Sequence, residues 1–428
     1  MAKNFLEQTG RIAVFRDRED PKGNPETAHG VALDLEPGSG LGLNRIIEDN
    51  RDQITGVEGA TEIFYSGHTA SGKLSQKRAK PDFLAFVLAH FFGACASTAV
   101  GASAYRHAIT PLAELDHPSF TLVQRRGNSI LKERWAGNHI ESFTLELSES
   151  WASLSAEVKG WGKRELNYFH EIVPAPANST QIALADNAVE GASAAERLEN
   201  VFRVRARDAG SEVWTLPGVS AVSDADPAVI SLKSAVGTSS EPIDFHVDYI
   251  PKEANWCVFP AAVDESPLKL VEARVVVDGY YNGTELIGGE VICADALSFS
   301  ISGTNNLDIQ HVPDGSGALH AAQSLRGGRK LSIKLSEKLK NTIRQWQADH
   351  AEAERLAVAL ILQGAEIDPG GGVSFGAELI FPSCGILAAP IAVHDKFLAQ
   401  EGDLIALDDG IYGGVIIRCY NRQTGYLG

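Results

Sequence analysis

Cysteine is scarce in this 428-residue chain: Cys95, Cys257, Cys293, Cys384 and Cys419 lie far apart, with no CxxC pair. An odd number at such spacing argues against a disulfide framework and a zinc knuckle, and leaves the thiols as small buried hydrophobes. Long apolar runs are missing as well, so the roughly 20 consecutive apolar residues of a membrane-spanning helix are not found and no membrane anchor is expected. The opening stretch MAKNFLEQTGRIAVFRDRED has no apolar signal core, which makes a cytoplasm the expected folding compartment. Positive charge is in deficit: 38 Lys and Arg stand against 55 Asp and Glu, a net charge of −17. A chain so charged repels polyanions, which disfavours sequence-specific binding of nucleic acid.

Catalytic signatures are also lacking. PGSGLGLN offers Gly38, Gly40 and Gly42 but neither the third glycine of GxGxxG nor a following βα unit, and there is no GxxxxGK[ST], HExxH, GxSxG or EF-hand loop. The histidines are scattered singly, whereas metal ligands come in pairs at helical or alternate-strand spacing. The acidic pairs Asp224/Asp226 and Asp408/Asp409 sit beside Pro227 and Gly410, where turn chemistry accounts for them. No catalytic residue, cofactor or metal is expected, and the chain reads as a non-enzyme.

What is present is strand. From Phe143 the apolar residues fall on every second position (Phe143, Leu145, Leu147), and after Ser148-Glu149-Ser150-Trp151 the pattern resumes with Ala152, Leu154, Ala156 and Val158. Thr144, Glu146, Ser153, Ser155 and Glu157 take the other face. This period predicts a half-solvated antiparallel hairpin. Two stretches read as helices. KPDFLAFVLAHFFG has Pro81 in the first turn, Asp82 at the positive end, Gly93 as its stop and apolar surface nearly all round, so a buried helix is predicted. SEKLKNTIRQWQADHAEAE places Leu339, Ile343, Trp346 and His350 on one face only. A further cluster, Arg125, Arg126, Lys132, Arg134 and Trp135 around Gly127-Asn128, reads as a hairpin tip open to three uses: a nucleic-acid hairpin, a solvated tip, which is the commoner case, or a basic tip that docks onto an acidic neighbour.

At roughly 150 residues per domain the length calls for more than one core. The Pro, Ala and Asn clusters after residue 164 place a linker at 176–195, with a first β domain at 1–175 and a second at 196–428. Each predicted helix is preceded by a strand (EIFYSGHTASG; LSFSISGTNN) and followed by two more (PSFTLVQRRG and GNHIESFTLEL; RLAVALILQG and GAELIFPSCGIL), an internal echo.

Residues 60–165, carrying SGHTASGKLSQKRAKPDFLAFVLAHFFGA, the HAITP segment (His107 to Pro111), the PSFT strand start (Pro118 to Thr121) and the 143–158 hairpin, resemble the tail tube proteins of long-tailed bacteriophages. The resemblance implies a mainly β (α+β) chain: tandem tail-tube-like β-sandwich or barrel domains, each with a flanking helix. Copies would join sheet edge to sheet edge in a ring, and rings would stack into a conduit for DNA. A fused pair implies three chains per pseudo-sixfold ring; a single copy with an outer domain implies a hexamer. The implied partners are the chain itself, other tail proteins, and DNA that passes without specific binding. The implied location is the virion tail, assembled in the bacterial host cytoplasm. On this reading Thr144, Glu146, Ser153, Ser155 and Glu157 line the lumen as an acidic bore or face outward, and Arg125, Arg126, Lys132, Arg134 and Trp135 form a ring-stacking hairpin. The rival from another class is a polysaccharide-binding or polysaccharide-degrading β-sandwich, with Trp135, Trp151 and Trp161 in a groove.

Overall fold

The computed structural model describes the chain except residues 1–9, 19–24, 54–56, 127–130, 149, 208–213, 237–241, 253–258, 293–295, 314–316, 340–348, 351, 353, 395 and 428. Strands take up 59% of it and helix 6%, so the class is mainly β. The chain divides into two compact units: a larger one of Ile12–Leu122, Trp135–Lys163 and Phe259–Gly428, and a smaller one of Met1–Arg11, Val123–Arg134 and Arg164–Val258.

Eight strands run side by side in one antiparallel order. They are β1 (Gly40–Asp49), β2 (Ile63–Gln76), β3 (Leu131–Ser148), β4 (Trp151–Leu166), β5 (Ala296–Thr304), β6 (Lys330–Lys338), β7 (Ile391–His394) and β8 (Phe397–Ala406). β1 pairs with β2 and β2 with β4; β3 pairs with β5, β5 with β6, β6 with β8, and β8 with β7. β3 and β4 form a hairpin tied by Lys159 to Glu141 at 3.0 Å and by Ser142 to Glu157 at 3.3 Å. The sheet order is therefore 1-2-4-3 followed by 5-6-8-7, two runs of four with the same chain order. Between the runs, Leu145 faces Ile301 and Leu147 faces Phe299.

One face of this sheet is apolar because the strands keep period two: Phe143, Leu145, Leu147, Ala152, Leu154, Ala156 and Val158 are all buried. The helix α1 (Pro81–Phe92) lies in the same core, every residue of it buried. Pro81 opens it, Asp82 sits in its first turn, and Gly93 closes it at φ 95°, donating to the Ala89 carbonyl. Phe91 meets Phe143 edge-on at 4.7 Å and Phe86 meets Phe120 at 5.1 Å. The last carbonyls of α1 are satisfied from the second run. Arg329 donates to the Phe91 and Phe92 carbonyls at 3.2 and 3.1 Å, and the buried Asn305 donates to Phe91 at 3.0 Å and to Ile140 at 3.1 Å. A guanidinium at a helix C-terminus meets both the unpaired carbonyls and the dipole.

β3 turns a corner at Gly137. Its φ is 71°, and a Cβ there would stand 2.4 Å from Trp161, so only glycine fits. Asp17, half-buried beside the corner, accepts from the Gly137 N–H at 3.1 Å and from the Ser119 and Thr121 hydroxyls.

The second predicted helix, 336–354, falls largely on residues outside the description; Ser336, Glu337 and Lys338 belong to β6, and Asp349 and His350 are helical. In the smaller unit, Phe169–Ala175, Ile243–Tyr249 and Val201–Arg207 form one three-stranded sheet, and Ser179–Ala183, Val229–Val236 and Val219–Val222 another. They share a core of Ile182, Ile230, Phe245 and Val247. The stretch expected as a linker, 176–195, thus carries a core strand, and the first turn of the helix Ala194–Glu199 is fixed by a Ser193–Glu196 capping box. The boundaries that bracket this stretch fall at 163/164 and 258/259 instead, because the alternating strands between them complete one another's core, and the chain crosses between units at 11/12, 122/123 and 134/135 as well.

Candidate assembly surface

The opposite face of the sheet is polar and continuous across both runs. Thr144, Glu146 and Glu157 are exposed on it, and Ser153 and Ser155 are half-buried. Directly paired residues share a face. Glu146 faces Ser300, Thr144 faces Ser302, Glu157 faces Lys73, Ser155 faces Ser75, and Lys334 faces both Ser300 and Asp403. Lysines and carboxylates alternate across it: Lys73, Lys159, Lys330 and Lys334 against Glu146, Glu157, Glu401 and Asp403. Lys334 and Asp403 are 3.7 Å apart. This face is serine-rich and near neutral, not the acidic surface that the net charge suggested, because each carboxylate strand is set against a lysine-bearing one.

The basic cluster is engaged within the chain. Arg126 lies 3.5 Å and Arg164 3.8 Å from Glu133, Arg134 pairs with Glu165, and the Lys132 N–H donates to Asn167 at 2.9 Å. The turn Gly127-Asn128 lies outside the described residues. Trp135 corrects the expectation of a docking tip: it is buried in the core of the larger unit, since the alternation that puts Arg134 outward puts Trp135 inward. Trp161 is buried against Gly137, and Trp151 lies half-buried under Arg78 at 5.5 Å, so the three rings form no common exposed platform for a sugar.

The sequence reading missed the outer end of the second run. Ile391, Val393 and Leu398 are large, apolar and exposed on β7 and β8, and at the tip of the β1–β2 hairpin Ile46, Ile47, Ile63, Phe64 and Tyr65 are exposed too. Runs of exposed apolar side chains on paired strands mark an interaction surface. A signal for the repetition was available: SGKLSQK at 71–77 and SIKLSEK at 332–338 share S-x-K-L-S-x-K, and they lie in β2 and β6, the second strand of each run.

Two carboxyls are buried where α1 begins. Glu265 accepts the Asp82 N–H at 2.9 Å and the Arg422 N–H at 3.4 Å. Burial first, then the neighbouring Asp82 carboxylate, pushes Glu265 up to about 8, and burial pushes Asp82 up to about 6. Among the described residues no group of His, Cys, Asp and Glu is arranged to hold a metal ion. His90 and His117 are held neutral by burial, down to about 3 and about 4.

No family model matches the chain, and no curated protein matches its sequence. Among solved structures, a mutant of the Hcp1 protein from the E. coli EAEC 042 pathovar is similar over 34% of this chain and 96% of its own, at 12% identity and a TM-score of 0.19. So low a score carries no weight for function, which leaves the sheet itself to speak for it.

Proposed function

We propose that this chain is a structural protein that builds rings from copies of itself and stacks them into a tube, the tail tube of a long-tailed bacteriophage. The observation that carries the reading is the sheet order 1-2-4-3, 5-6-8-7. The chain already joins one run of four strands to the next, edge to edge, inside itself. Its two outer ends are therefore the same two kinds of edge that meet at the internal junction. A further copy continues the sheet, and closing the ring removes every edge. Three copies supply six runs, so the ring has three chains and pseudo-sixfold symmetry.

The polar face lines the bore. With lysines and carboxylates matched across strands it offers DNA no net positive field to bind, so the polymer passes without being held. α1 lies on the apolar side. Assembly takes place in the bacterial cytoplasm with other tail proteins, and the product is carried in the virion. The paired polar face and the burial of Trp135 and Trp161 favour this reading over a polysaccharide-binding sandwich built on those rings.

Negative-stain electron microscopy of the purified protein tests it. Rings or hollow filaments of constant width, with threefold and sixfold rotational power, are expected. A protein that stays a single chain by analytical ultracentrifugation at high concentration, and whose sedimentation responds to polysaccharide, overturns it.

A further inference from the structure

We infer that the seam between neighbouring copies joins β7 of one copy to β1 of the next, in a register set by the chain's own β3–β5 junction. This inference rests on the ring-forming reading and names its interface. Two residues separate the end of β3 from the start of β4, at Ser148 and Trp151, and two separate the end of β7 from the start of β8, at His394 and Phe397. Counted from these turns, Leu145 corresponds to Ile391, Leu147 to Val393, and Ala152 to Leu398.

The same count fixes the other side. Ala156 and Gly402 stand at the same step into β4 and β8, and they face Leu74 and Leu335. Lys73 then corresponds to Lys334, the lysines of the shared S-x-K-L-S motif. Lys73 faces Gly40 and Lys334 faces Ser300, so Leu41 corresponds to Ile301. Inside the chain Ile301 faces Leu145 and Thr304 faces Ser142. Between copies, Leu41 therefore faces Ile391, and Asn44 faces Ala388, the last residue of the strand Ser374–Ala388, which precedes β7 and pairs with β8 in the same register (Ala388 with Asp403, Ile391 with Gln400).

Burial picks the second copy as the occupant. At the internal junction Leu145, Leu147 and Ala152 are 0%, 1% and 0% exposed; at the outer end the corresponding Ile391, Val393 and Leu398 are 42%, 74% and 54% exposed. The two places share strand order, register and turn length, and at the first of them a following run is joined. The backbone is oriented for pairing as well. The Pro390 carbonyl accepts from the Glu401 N–H at 2.9 Å and so points inward. With period two, the N–H and C=O of Ile391 and Val393 point to the open edge, and the N–H that proline lacks falls on the inner side.

Two variants that each add one cysteine to the native five, Asn44→Cys and Ala388→Cys, are mixed and oxidised. Residues directly opposite on antiparallel strands hold their Cβ atoms about 4.5–5.5 Å apart, at the upper end of the roughly 3.5–4.5 Å a disulfide spans, so a small approach of the two strands closes the bond. A covalent dimer from the mixture, absent with either variant alone, and covalent trimers from the double variant support the seam. In parallel, Ile391→Lys/Val393→Lys changes only exposed side chains; its circular dichroism stays that of the parent while rings disappear. If the parent forms rings but the cysteine mixture does not cross-link and the lysine variant assembles normally, the seam is overturned and the ring reading stands. If the parent forms no rings, the ring reading falls and the seam with it.

Discussion

Replacing Glu265 by Gln is expected to flatten the loss of stability that the parent suffers above neutral pH. Glu265 is buried, and its folded value near 8 lies far above the ordinary 4.5. A carboxyl raised in the folded state gives its full stabilisation below the unfolded value, and loses it as pH climbs through the folded one, because the unfolded chain releases the proton first. From pH 6.5 to 8 the parent should lose about 1.5 kcal/mol from this group alone. Asp82, near 6, contributes little across that interval. His90 and His117 act in the opposite sense: their depressed values cost stability as pH falls below about 6.5, where the unfolded chain takes up protons they refuse. Glutamine keeps the shape of the protonated acid, with one oxygen to accept an N–H and a nitrogen to donate. Urea unfolding followed by the fluorescence of Trp135 and Trp161, both buried in the larger unit, measures the effect. Running it in the Ile391→Lys/Val393→Lys background removes the concentration dependence that assembly adds. Equal pH slopes with and without the Glu265→Gln change would refute the reasoning, since the titrating group would then lie elsewhere.

Arg329→Met should cost about 1–3 kcal/mol in the same assay, because it takes from the Asn305 side-chain oxygen its Arg329 donor and leaves the Phe91 and Phe92 carbonyls with Asn305 and the Leu112 N–H alone. Gly137→Ala should cost roughly 2–4 kcal/mol, combining a left-handed backbone with a Cβ driven into Trp161, and should show as reduced soluble yield or a lower urea midpoint. Glu146→Lys/Glu157→Lys sits on exposed positions and should change stability by less than about 1 kcal/mol. By tipping the polar face to net positive it should make assembled rings retain DNA in a mobility-shift assay, with retention falling as salt rises; unchanged mobility would remove that face from the bore.

Much of the larger unit was legible from local rules. The alternation at 143–158 marks which side chains are buried, since a one-residue slip would put Leu145 and Leu154 in water. Pro81 and Gly93 bracket α1 because each end has a backbone requirement that these residues meet. The smaller unit was not legible at its start. Pro174, Pro176 and Asn178 read as linker, yet Ser179–Ala183 buries Ile182 and pairs with Val229–Val236, a long-range partnership that five residues with a single deeply buried side chain do not announce. Trp135 was misplaced for a similar reason: four neighbouring cations suggested a solvated tip, whereas the pleat sends alternate residues to opposite faces whatever their neighbours' charge.

The internal echo shows where sequence comparison slips and structure corrects it. EIFYSGHTASG lies in β2 and LSFSISGTNN in β5, but β5 corresponds to β1, one strand earlier. The cause is that the predicted second helix starts at Ser336, inside the strand Lys330–Lys338, so β6 is absorbed into it and the strand before it, β5, is matched to β2 in its place. What persists is what side-by-side joining demands: apolar residues at every second position beneath the sheet, and a lysine in the second strand set against an acid in the third, Lys73 with Glu157 and Lys334 with Asp403. Residue identity is otherwise free to drift, because a strand recognises its neighbour mainly through the backbone, and the side chains need only keep to the proper face.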